Sequence, residues 1–385
     1  MTMIVHPPAF RFAARPVERP PSRPGARSAG SGSGGALAVA RPARAVLAVV
    51  MLALASLAAG PAGADISKAG TTAAGFLSVG TGASILGMGG ATLGLGGDLA
   101  AVPWNAAALG TLGQTQVALA HAALADQTGQ EWAAVGGRLG RGDTRWALSG
   151  LYQSEGSFEG RDASNLPTGS FDVSSTALGL HLARPLGMAT LGLGARYVGE
   201  KLGSVSGSGF TMDAGLLVRA GLFGFGLSAT NVGGSMSYGG SSWPFPRNVG
   251  AGLALDLPGT GLRAALDANF PAAYYNDVRA GLEWRWRGLF AARAGYRREL
   301  GAPSSEPLTG PAFGMGAGAR GLWLDYAYLI PGAGDGQHRI ALALKPGMLG
   351  WLSGGGAGIK DMPRSFDDVP PGGVPQPAPQ KGKQE

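Results

Sequence analysis

The sequence contains no cysteine, and only 14% of its 385 residues are charged. Without cysteine the chain has no disulfide bonds, no thiolate nucleophile and no thiolate zinc site. Low charge combined with 45% hydrophobic residues requires either a large core or a surface that faces lipid. At this length the chain can form one large barrel or two ordinary soluble domains.

An excess of positive charge is also missing from most of the chain. Of the 31 basic and 24 acidic residues, seven and one precede residue 65, which leaves 24 basic and 23 acidic residues after it. The early basic residues are Arg11, Arg15, Arg19, Arg23, Arg27, Arg41 and Arg44. Because a nucleic-acid-binding surface needs a clustered basic excess, we expect no nucleic-acid partner.

One short apolar run lies near the start of the chain, at residues 45–59, directly after two arginines. Ala62-Gly63-Ala64 follows it, a spacing of small residues that is typical of signal-peptide cleavage. The run is shorter than the roughly 20 residues that a membrane anchor helix needs. Residues 1–64 are therefore predicted to be a disordered leader plus a signal peptide. A start codon assigned too far upstream would also explain the Pro/Arg-rich beginning.

No later apolar stretch is long enough to span a membrane as a helix, and the dominant pattern has a period of two. In Asp277–Arg287, apolar residues occupy every second position from Val278 to Trp286. The intervening positions carry Asp277, Arg279, Glu283 and Arg285. Strict alternation predicts β-strands with one apolar and one polar face.

Runs of this kind predict about fourteen strands. Their expected starts are Gln114, Glu131, Arg145, Asp172, Ala189, Gly209, Phe223, Arg247, Gly261, Asp277, Leu289, Ala312, Gly321 and Gln337. Links after even-numbered strands are short, whereas residues 154–171, 233–246 and 299–311 are predicted to be long loops after odd-numbered strands. Alternating short and long links are typical of outer-membrane barrels.

Aromatic residues fall towards the predicted strand ends, as in the two girdles of a membrane barrel. The outer girdle is predicted to contain Trp132, Tyr152, Tyr197, Phe210, Phe270, Tyr296, Tyr326 and Tyr328, and the inner girdle Trp146, Phe223, Phe225, Trp284, Trp286 and Phe290. A large soluble β-sandwich is the alternative, but it does not explain the sorting of loop lengths. We therefore predict an all-β fold, a transmembrane antiparallel β-barrel of about 14 strands, over residues 114–346.

A barrel of this width needs a plug or a ligand in its lumen, and residues 65–113 can supply an N-terminal hatch. The stretch GFLSVGTGASILGMGGATLGLGGDLAAVPWNAAALG resembles the N-terminal region of PorV/PorQ-type outer-membrane proteins, within the superfamily of the fatty-acid transporter FadL. The matching residues are Gly87, Met88, Gly89, Gly90, Ala91, Asp98, Trp104, Asn105, Ala107 and Leu109. Ala106 and Ala108 stand where the family usually has proline and glycine. The motif LWLDYAY at residues 322–328 is also similar.

The resemblance implies an outer-membrane barrel with a hatch motif at Gly87, Gly89, Gly90, Asp98, Trp104 and Asn105. Its nearest family implies a secretion accessory that binds a secreted client protein or a translocon. The broader superfamily implies a FadL-like channel for hydrophobic small molecules, and a structural barrel without transport is a third possibility. Outer-membrane lipid is the expected partner in every case.

A charged wall is predicted on the lumen face of the barrel. Its residues are Arg263, Asp267, Arg279, Glu283, Arg285, Arg293, Arg297, Asp325 and Arg339. Mixed signs favour lateral ion pairs that stabilise the lumen and the hatch. An alternative is that the arginine-rich part, Arg279, Arg285, Arg293 and Arg297, binds a carboxylate or phosphate head group.

Enzymatic motifs are missing as well. The four histidines, His6, His121, His181 and His338, are scattered and predict no metal site. No G-x-S-x-G motif of a serine hydrolase occurs, and the glycines at 87–97 lack the G-x-G-x-x-G spacing of nucleotide binding. We expect no enzyme activity and no cofactor. Residues 347–385, rich in Pro and Gly, are predicted to be a disordered periplasmic tail.

Overall fold

A computed structural model describes residues 70–238, 240–302, 308–319 and 321–346. The predicted leader with its signal peptide and the predicted tail at 347–385 lie outside these residues. Within the described ranges, no helix is long and apolar enough to cross a bilayer.

Sixteen strands of the described chain form one antiparallel sheet. Their bounds are β1 Gln116–Ala123, β2 Gly129–Arg138, β3 Arg145–Arg161, β4 Pro167–Leu186, β5 Ala189–Leu202, β6 Val205–Ala220, β7 Phe223–Val232, β8 Ser235–Tyr238, β9 Ser241–Pro244, β10 Asn248–Leu257, β11 Leu262–Pro271, β12 Asp277–Trp286, β13 Phe290–Glu299, β14 Gly310–Ala319, β15 Leu322–Leu329 and β16 Gln337–Leu344.

Fourteen of these strands close into a barrel. Neighbouring barrel strands pair in chain order, and β1 also pairs with β16, from Val117 opposite Leu344 to Ala123 opposite His338. The short strands β8 and β9 form a separate hairpin, and among the barrel strands only β6 pairs with it, at Ser208 opposite Ser237. Closure leaves no unpaired sheet edge in the wall, which is the condition for strands in hydrocarbon. The predicted transmembrane barrel of about fourteen strands is confirmed.

The two faces of the wall follow the alternation in the sequence. On β12, Asp277 and Glu283 are buried on the inner face, while Leu282 and Trp284 are 61% and 49% exposed on the outer face. Large apolar side chains are likewise exposed on the outer face of β4, β5 and β14. In a membrane these side chains contact lipid, so their exposure is favourable.

The connections at one end of the barrel are all short. They span residues 139–144, 187–188, 221–222, 258–261, 287–289 and 320–321. At the opposite end the predicted loop at 154–171 is wrong for most of its length. There β3 continues to Arg161 and β4 begins at Pro167 rather than Asp172, because this polar stretch pairs as a hairpin beyond the apolar band.

Two further expectations need correction. The predicted loop at 233–246 contains the β8–β9 hairpin, whose serine-rich strands lack apolar alternation. Trp132 does not belong to the outer girdle. It lies on the inner face of β2, is 5% exposed and packs against residues that precede the barrel, including Leu99 and Leu109.

The lumen contains residues 70–115, which we call the hatch segment. It has three 3-10 turns and one α-helical turn, at Gly75–Ser78, Ala83–Leu86, Leu99–Ala101 and Ala106–Thr111. Its apolar side chains pack on inward-facing residues of β1 to β4, and those near Met88 and Leu95 pack on Ala254 and Ala265. Small residues make this segment compact enough to lie within the wall.

Candidate functional site

Glycines on the inner wall let the hatch segment approach the barrel backbone closely. A Cβ atom on Gly281 would lie 2.5 Å from the Met88 carbonyl oxygen, and one on Gly226 would overlap the Leu93 carbonyl oxygen. On the other side of the contact, a Cβ on Gly87 would lie 2.9 Å from the Cα of Gly314. Only glycine permits backbone contact at this distance.

Two further hatch glycines lie beside the barrel wall at positive φ. Gly89 has φ 68° and lies against the Tyr296 backbone, where a Cβ would be 2.7 Å from the nitrogen. Gly90 has φ 82° and lies beside the Arg279 side chain. The turn after Leu86 therefore needs glycine both for its backbone angles and for its contacts.

The polar residues of the hatch motif hold its own turns together. Asp98 accepts hydrogen bonds from the Ala100 N–H at 2.9 Å and from the Ser84 hydroxyl at 2.8 Å. Asn105 accepts from the Ala107 N–H at 3.0 Å, and its amide donates to the Leu93 carbonyl at 3.0 Å. Both residues cap short turns. Their positions in the structure are those of scaffold residues rather than of ligand-binding residues.

Asp267 on β11 connects the wall to the hatch segment. Its Oδ2 accepts hydrogen bonds from the Thr92 N–H at 2.6 Å and from the Leu93 N–H at 2.9 Å. The side chain is almost fully buried. Buried charge-assisted hydrogen bonds of this kind are strong, so Asp267 fixes the middle of the hatch segment against the wall.

Trp104 lies where the hatch segment meets the charged wall. Its indole N–H donates to the Thr81 carbonyl at 3.2 Å, and its own carbonyl accepts from the Ser228 hydroxyl at 2.6 Å. The Arg279 guanidinium lies over the ring, 5.2 Å from the centroid. This cation–π contact holds the ring as one wall of a cavity.

All nine residues of the predicted charged wall lie on the inner face, and the structure separates most of them into two groups. The group nearer the long connections is centred on Asp277, which binds Arg279 at 2.6 Å and Arg297 at 3.1 Å. Arg297 also contacts Glu299 at 3.1 Å. Each guanidinium in this group has an acidic partner within the wall.

The second group lies nearer the short connections and is centred on Glu283. Arg293 binds Glu283 at 2.7 Å and Asp325 at 2.6 Å. Arg285 binds the same Glu283 at 3.1 Å, and the nearest Arg263 contact to it is 3.6 Å. Each of these three arginines thus has an acidic partner, and Glu283 is shared by all three.

Arg339 stands apart from both groups. Its guanidinium donates to the Gly80 carbonyl and to Gln130 at 3.3 Å, and to Gln337 at 2.8 Å. It is 3% exposed and has no acidic partner among the described residues. Its contacts link the β16 wall to the start of the hatch segment.

Between the hatch segment and the long-connection end lies a cavity of about 390 Å³. Apolar residues from several elements line it, among them Leu77, Val79, Trp104, Trp132, Leu151 and Ala177. Polar lining residues include Ser149, His181, Arg196, Asn231, Arg279 and Arg297. A neighbouring cavity of about 220 Å³ shares Val79, Trp104, Arg279 and Arg297 and extends to the connections near Leu124 and Ile330.

The β8–β9 hairpin and the residue after it pack against the start of the hatch segment. Met236 and Phe245 pack on Phe76 of the hatch segment, and the Ala73 N–H donates to the Pro244 carbonyl at 3.0 Å. Tyr238 contacts the Glu200 carboxylate. Burial and the neighbouring Glu200 carboxylate raise the pKa of the Tyr238 phenol above its usual range, so the phenol stays neutral and donates this hydrogen bond.

The histidines are less isolated than the sequence indicates. His121 lies 2.5 Å from Glu131 on the outer face, and His338 accepts or donates a hydrogen bond with Tyr326 at 2.8 Å. His181 lies on the inner face at the cavity. Among the described residues, no group of three or more His, Cys, Asp or Glu is arranged to hold a metal ion.

Sequence reasoning missed the grouping of Ser149, His181, Arg196 and Asn231 around the cavity. These residues come from four different strands, and only the register of the barrel brings them together. The alternation does place each of them on the inner face, but it carries no information about the register between one strand and the next.

No protein-family model matches the chain, and no curated protein matches it. Among solved structures, the toluene transporter TodX of P. putida is 14% identical with a TM-score of 0.51, over 69% of this chain and 97% of TodX. The toluene transporter TbuX of Ralstonia pickettii is 13% identical with a TM-score of 0.50, over 69% of this chain and 98% of TbuX. The narrower PorV/PorQ resemblance is not confirmed. In its fold, the chain is similar to two barrels described as toluene transporters.

Proposed function

We propose that the chain is an outer-membrane channel for the uptake of hydrophobic small molecules. The observation that carries the proposal is the cavity of about 390 Å³ inside a closed lipid-facing barrel. Ligand sites in proteins are mostly apolar cavities of roughly 300–1,000 Å³ with a few polar groups. The cavity has this size and this lining.

The similarity in fold to two toluene transporters supports the same function. Toluene is a small apolar aromatic molecule, and the Trp104 and Trp132 rings of the cavity offer it flat apolar surfaces. The second cavity, which reaches the long connections, supplies an entry path from the outside. The FadL-like function is therefore preferred to the secretion function that the closest sequence resemblance implied.

Passage beyond the cavity requires the hatch segment to move. Asp267, Ser228 and Arg339 hydrogen-bond to its backbone at separate points of the wall. We infer that the hatch segment acts as the gate of the channel and that the hatch motif preserves its closed conformation. The two ion-pair groups then serve to keep the wall rigid while the gate moves.

A secretion accessory remains a different function with a different requirement. It would need a client-binding surface on the long connections, and the exposed, stacked Phe158 and Phe171 of the β3–β4 hairpin are the feature that favours it. A structural barrel without transport would need neither the cavity nor this surface. The predicted leader plus signal peptide at 1–64 and an outer-membrane location are compatible with all three functions.

The uptake function is tested by filling the cavity. Ala177 lines the cavity on the inner face of β4, whereas its neighbour Leu178 is exposed on the outer face. We expect Ala177→Trp to lower the uptake of radiolabelled toluene by cells that carry the protein at least about tenfold, because the indole occupies ligand space. Leu178→Trp is the matched control and should leave uptake unchanged.

Equal uptake by the deletion strain, the wild-type strain and the Ala177→Trp strain contradicts the proposal. If the deletion instead removes other proteins from the cell surface, the secretion function is correct. Heat-modifiable gel mobility of both variants establishes that each barrel is folded.

A further inference from the structure

A serine, a histidine and an aspartate meet on the inner wall of the barrel. The Ser149 hydroxyl on β3 lies 3.1 Å from Nε2 of His181 on β4. The other ring nitrogen of His181, Nδ1, and Asp213 Oδ2 on β6 both lie close to the Cβ position of Gly194. Neither the transport function nor the hatch segment uses these three residues together.

The strand register explains why the three side chains meet. Ser149 is opposite Gly179, which is opposite Arg196, and His181 is opposite Gly194, which is opposite Asp213. Each glycine leaves a gap on the inner face between two larger side chains. The imidazole of His181 lies across both gaps.

Distances from the two glycines locate the ring. A Cβ atom on Gly179 would lie 2.7 Å from both Ser149 Oγ and His181 Nε2. One on Gly194 would lie 2.6 Å from His181 Nδ1 and 3.1 Å from Asp213 Oδ2. The histidine therefore has the serine at one nitrogen and the carboxylate near the other.

Asp213 is held firmly through one of its two oxygens. Its Oδ1 binds Arg196 at 2.5 Å and accepts the Asn231 N–H at 2.9 Å. The pairing of β6 with β7 is irregular between Met212 and Ala214, and Asn231 has a φ of 56°. Such bulges redirect a side chain and are common beside active sites.

The remaining oxygen of Asp213 and the remaining nitrogen of His181 face the same gap. Both Asp213 Oδ2 and His181 Nδ1 are buried and have no hydrogen-bond partner in the described part of the chain. A buried polar atom without a partner requires an explanation. Catalytic hydrogen bonds are often long before substrate binds and shorten afterwards. A hydrogen bond that forms between these two atoms when substrate binds explains why both are unpaired here.

Access to the cavity decreases in the order that nucleophilic catalysis requires. Ser149 is partly exposed and lines the cavity, and His181 lines it at 1% exposure. Asp213 is 3% exposed and lies behind the histidine, outside the cavity lining. In a serine hydrolase the nucleophile meets the substrate, the histidine takes its proton and the buried aspartate orients the histidine.

We propose that Ser149, His181 and Asp213 form a catalytic triad that hydrolyses hydrophobic esters in the cavity. Ser149 Oγ attacks the ester carbonyl carbon while its proton passes to His181 Nε2. The bond between the carbonyl carbon and the alkoxy oxygen of the ester breaks, and His181 gives the proton to that oxygen as the alcohol leaves. Water then attacks the acyl-serine through the same histidine and releases the carboxylic acid.

Arg196 holds the aspartate of the triad. Its side chain lines the same cavity. Its Nη2 binds Asp213 Oδ1 at 2.5 Å and donates to the Asn231 side-chain oxygen at 2.8 Å. This ion pair keeps the carboxylate in the position from which it can orient the imidazole.

The triad is tested with a fluorophosphonate probe on an apolar linker, added to the purified, folded barrel in detergent. We expect covalent labelling of Ser149, located by peptide mass spectrometry, and its loss in Ser149→Ala. His181→Ala and Asp213→Asn should lower the labelling rate and the hydrolysis of p-nitrophenyl butyrate by roughly 10²–10⁴-fold, the usual contribution of a general base.

Ser175→Ala is the matched control, because Ser175 is a buried serine of β4 that contacts Glu200 rather than His181. Its labelling rate should equal that of the wild type. Unlabelled wild-type protein, or labelling that survives Ser149→Ala or proceeds equally in His181→Ala, overturns the triad. Toluene uptake is measured on the same variants, so a failed triad and a failed channel give different results.

Discussion

At the scale of single residues, Asp267 is the clearest example of a wall side chain that holds the hatch segment in place. Its carboxylate is buried and satisfies two consecutive backbone N–H groups. An apolar replacement leaves both groups without a partner, and each unpaired buried group costs about 1–3 kcal/mol.

We therefore expect Asp267→Ala to lower the stability of the folded barrel by several kcal/mol, measured as a lower temperature for the heat-modifiable gel shift. Asp256→Ala is the control, since Asp256 is partly exposed and contacts Arg263 at 3.1 Å. Exposed pairs contribute about 0–1 kcal/mol. Equal shifts for the two variants contradict the assigned role of Asp267.

Also at the scale of single residues, the sequence did not predict which charged residues of the wall form ion pairs. Alternation alone placed Arg279, Glu283 and Arg293 on the inner face. It did not reveal that Glu283 binds Arg293 of the next strand or that Arg293 also binds Asp325 two strands away. Ion pairs depend on register, and register depends on the whole closed sheet.

At the scale of elements, the contact between the hatch segment and the wall depends on glycine. A methyl group on Gly226 would overlap the Leu93 carbonyl oxygen and push the hatch segment away from β7. We expect Gly226→Ala to open a path for ions, seen as increased conductance of the barrel in planar lipid bilayers. Overpacking of this kind typically costs about 1–3 kcal/mol.

Gly199→Ala is the corresponding control on the outer face of β5. A methyl group there meets its nearest atom, the Gly207 carbonyl oxygen, at 3.8 Å, an ordinary contact. Its conductance should remain at the wild-type level. If Gly226→Ala conducts ions no better than the wild type, the hatch segment adapts to the added methyl group. Close backbone contact is then not what seals the lumen.

Sequence patterns predicted the elements of the wall well where one face is apolar. The starts of β3, β5, β7, β12 and β16 coincide with the predicted positions. The failures lie beyond the apolar band, at residues 154–171 and 233–246, where polar and glycine-rich strands lack alternation. The hatch segment gave no periodic pattern, and only its small residues and its motif pointed to a plug.

At the scale of the whole molecule, the apolar outer face of the barrel is expected to contact the hydrocarbon of the bilayer. Leu193 is 65% exposed and lies on β5 between Thr190 and Tyr197. We expect Leu193→Arg to weaken folding into lipid vesicles by about 2–4 kcal/mol in urea titrations, as arginine does at the middle of a bilayer. Tyr197→Arg, on the same face of β5 and nearer its end, should cost about 0–1 kcal/mol, as arginine does near the interface.

If both β5 variants fold equally well, the apolar band of β5 does not lie in lipid at this height. A cost at Tyr197 that exceeds the cost at Leu193 moves the membrane towards the long connections. Either result revises the position of the barrel in the bilayer.

The pairing of β1 with β16 has a consequence for biogenesis. The first and last strands of the wall pair with each other, so the barrel is closed only when both are present. A nonsense mutation upstream of Gln337 removes β16. The backbone N–H and C=O groups at the open edges of the sheet then have no hydrogen-bond partners in lipid. Truncated products are then expected to be cleared by periplasmic proteases, so even late stop codons should behave as complete loss of the gene.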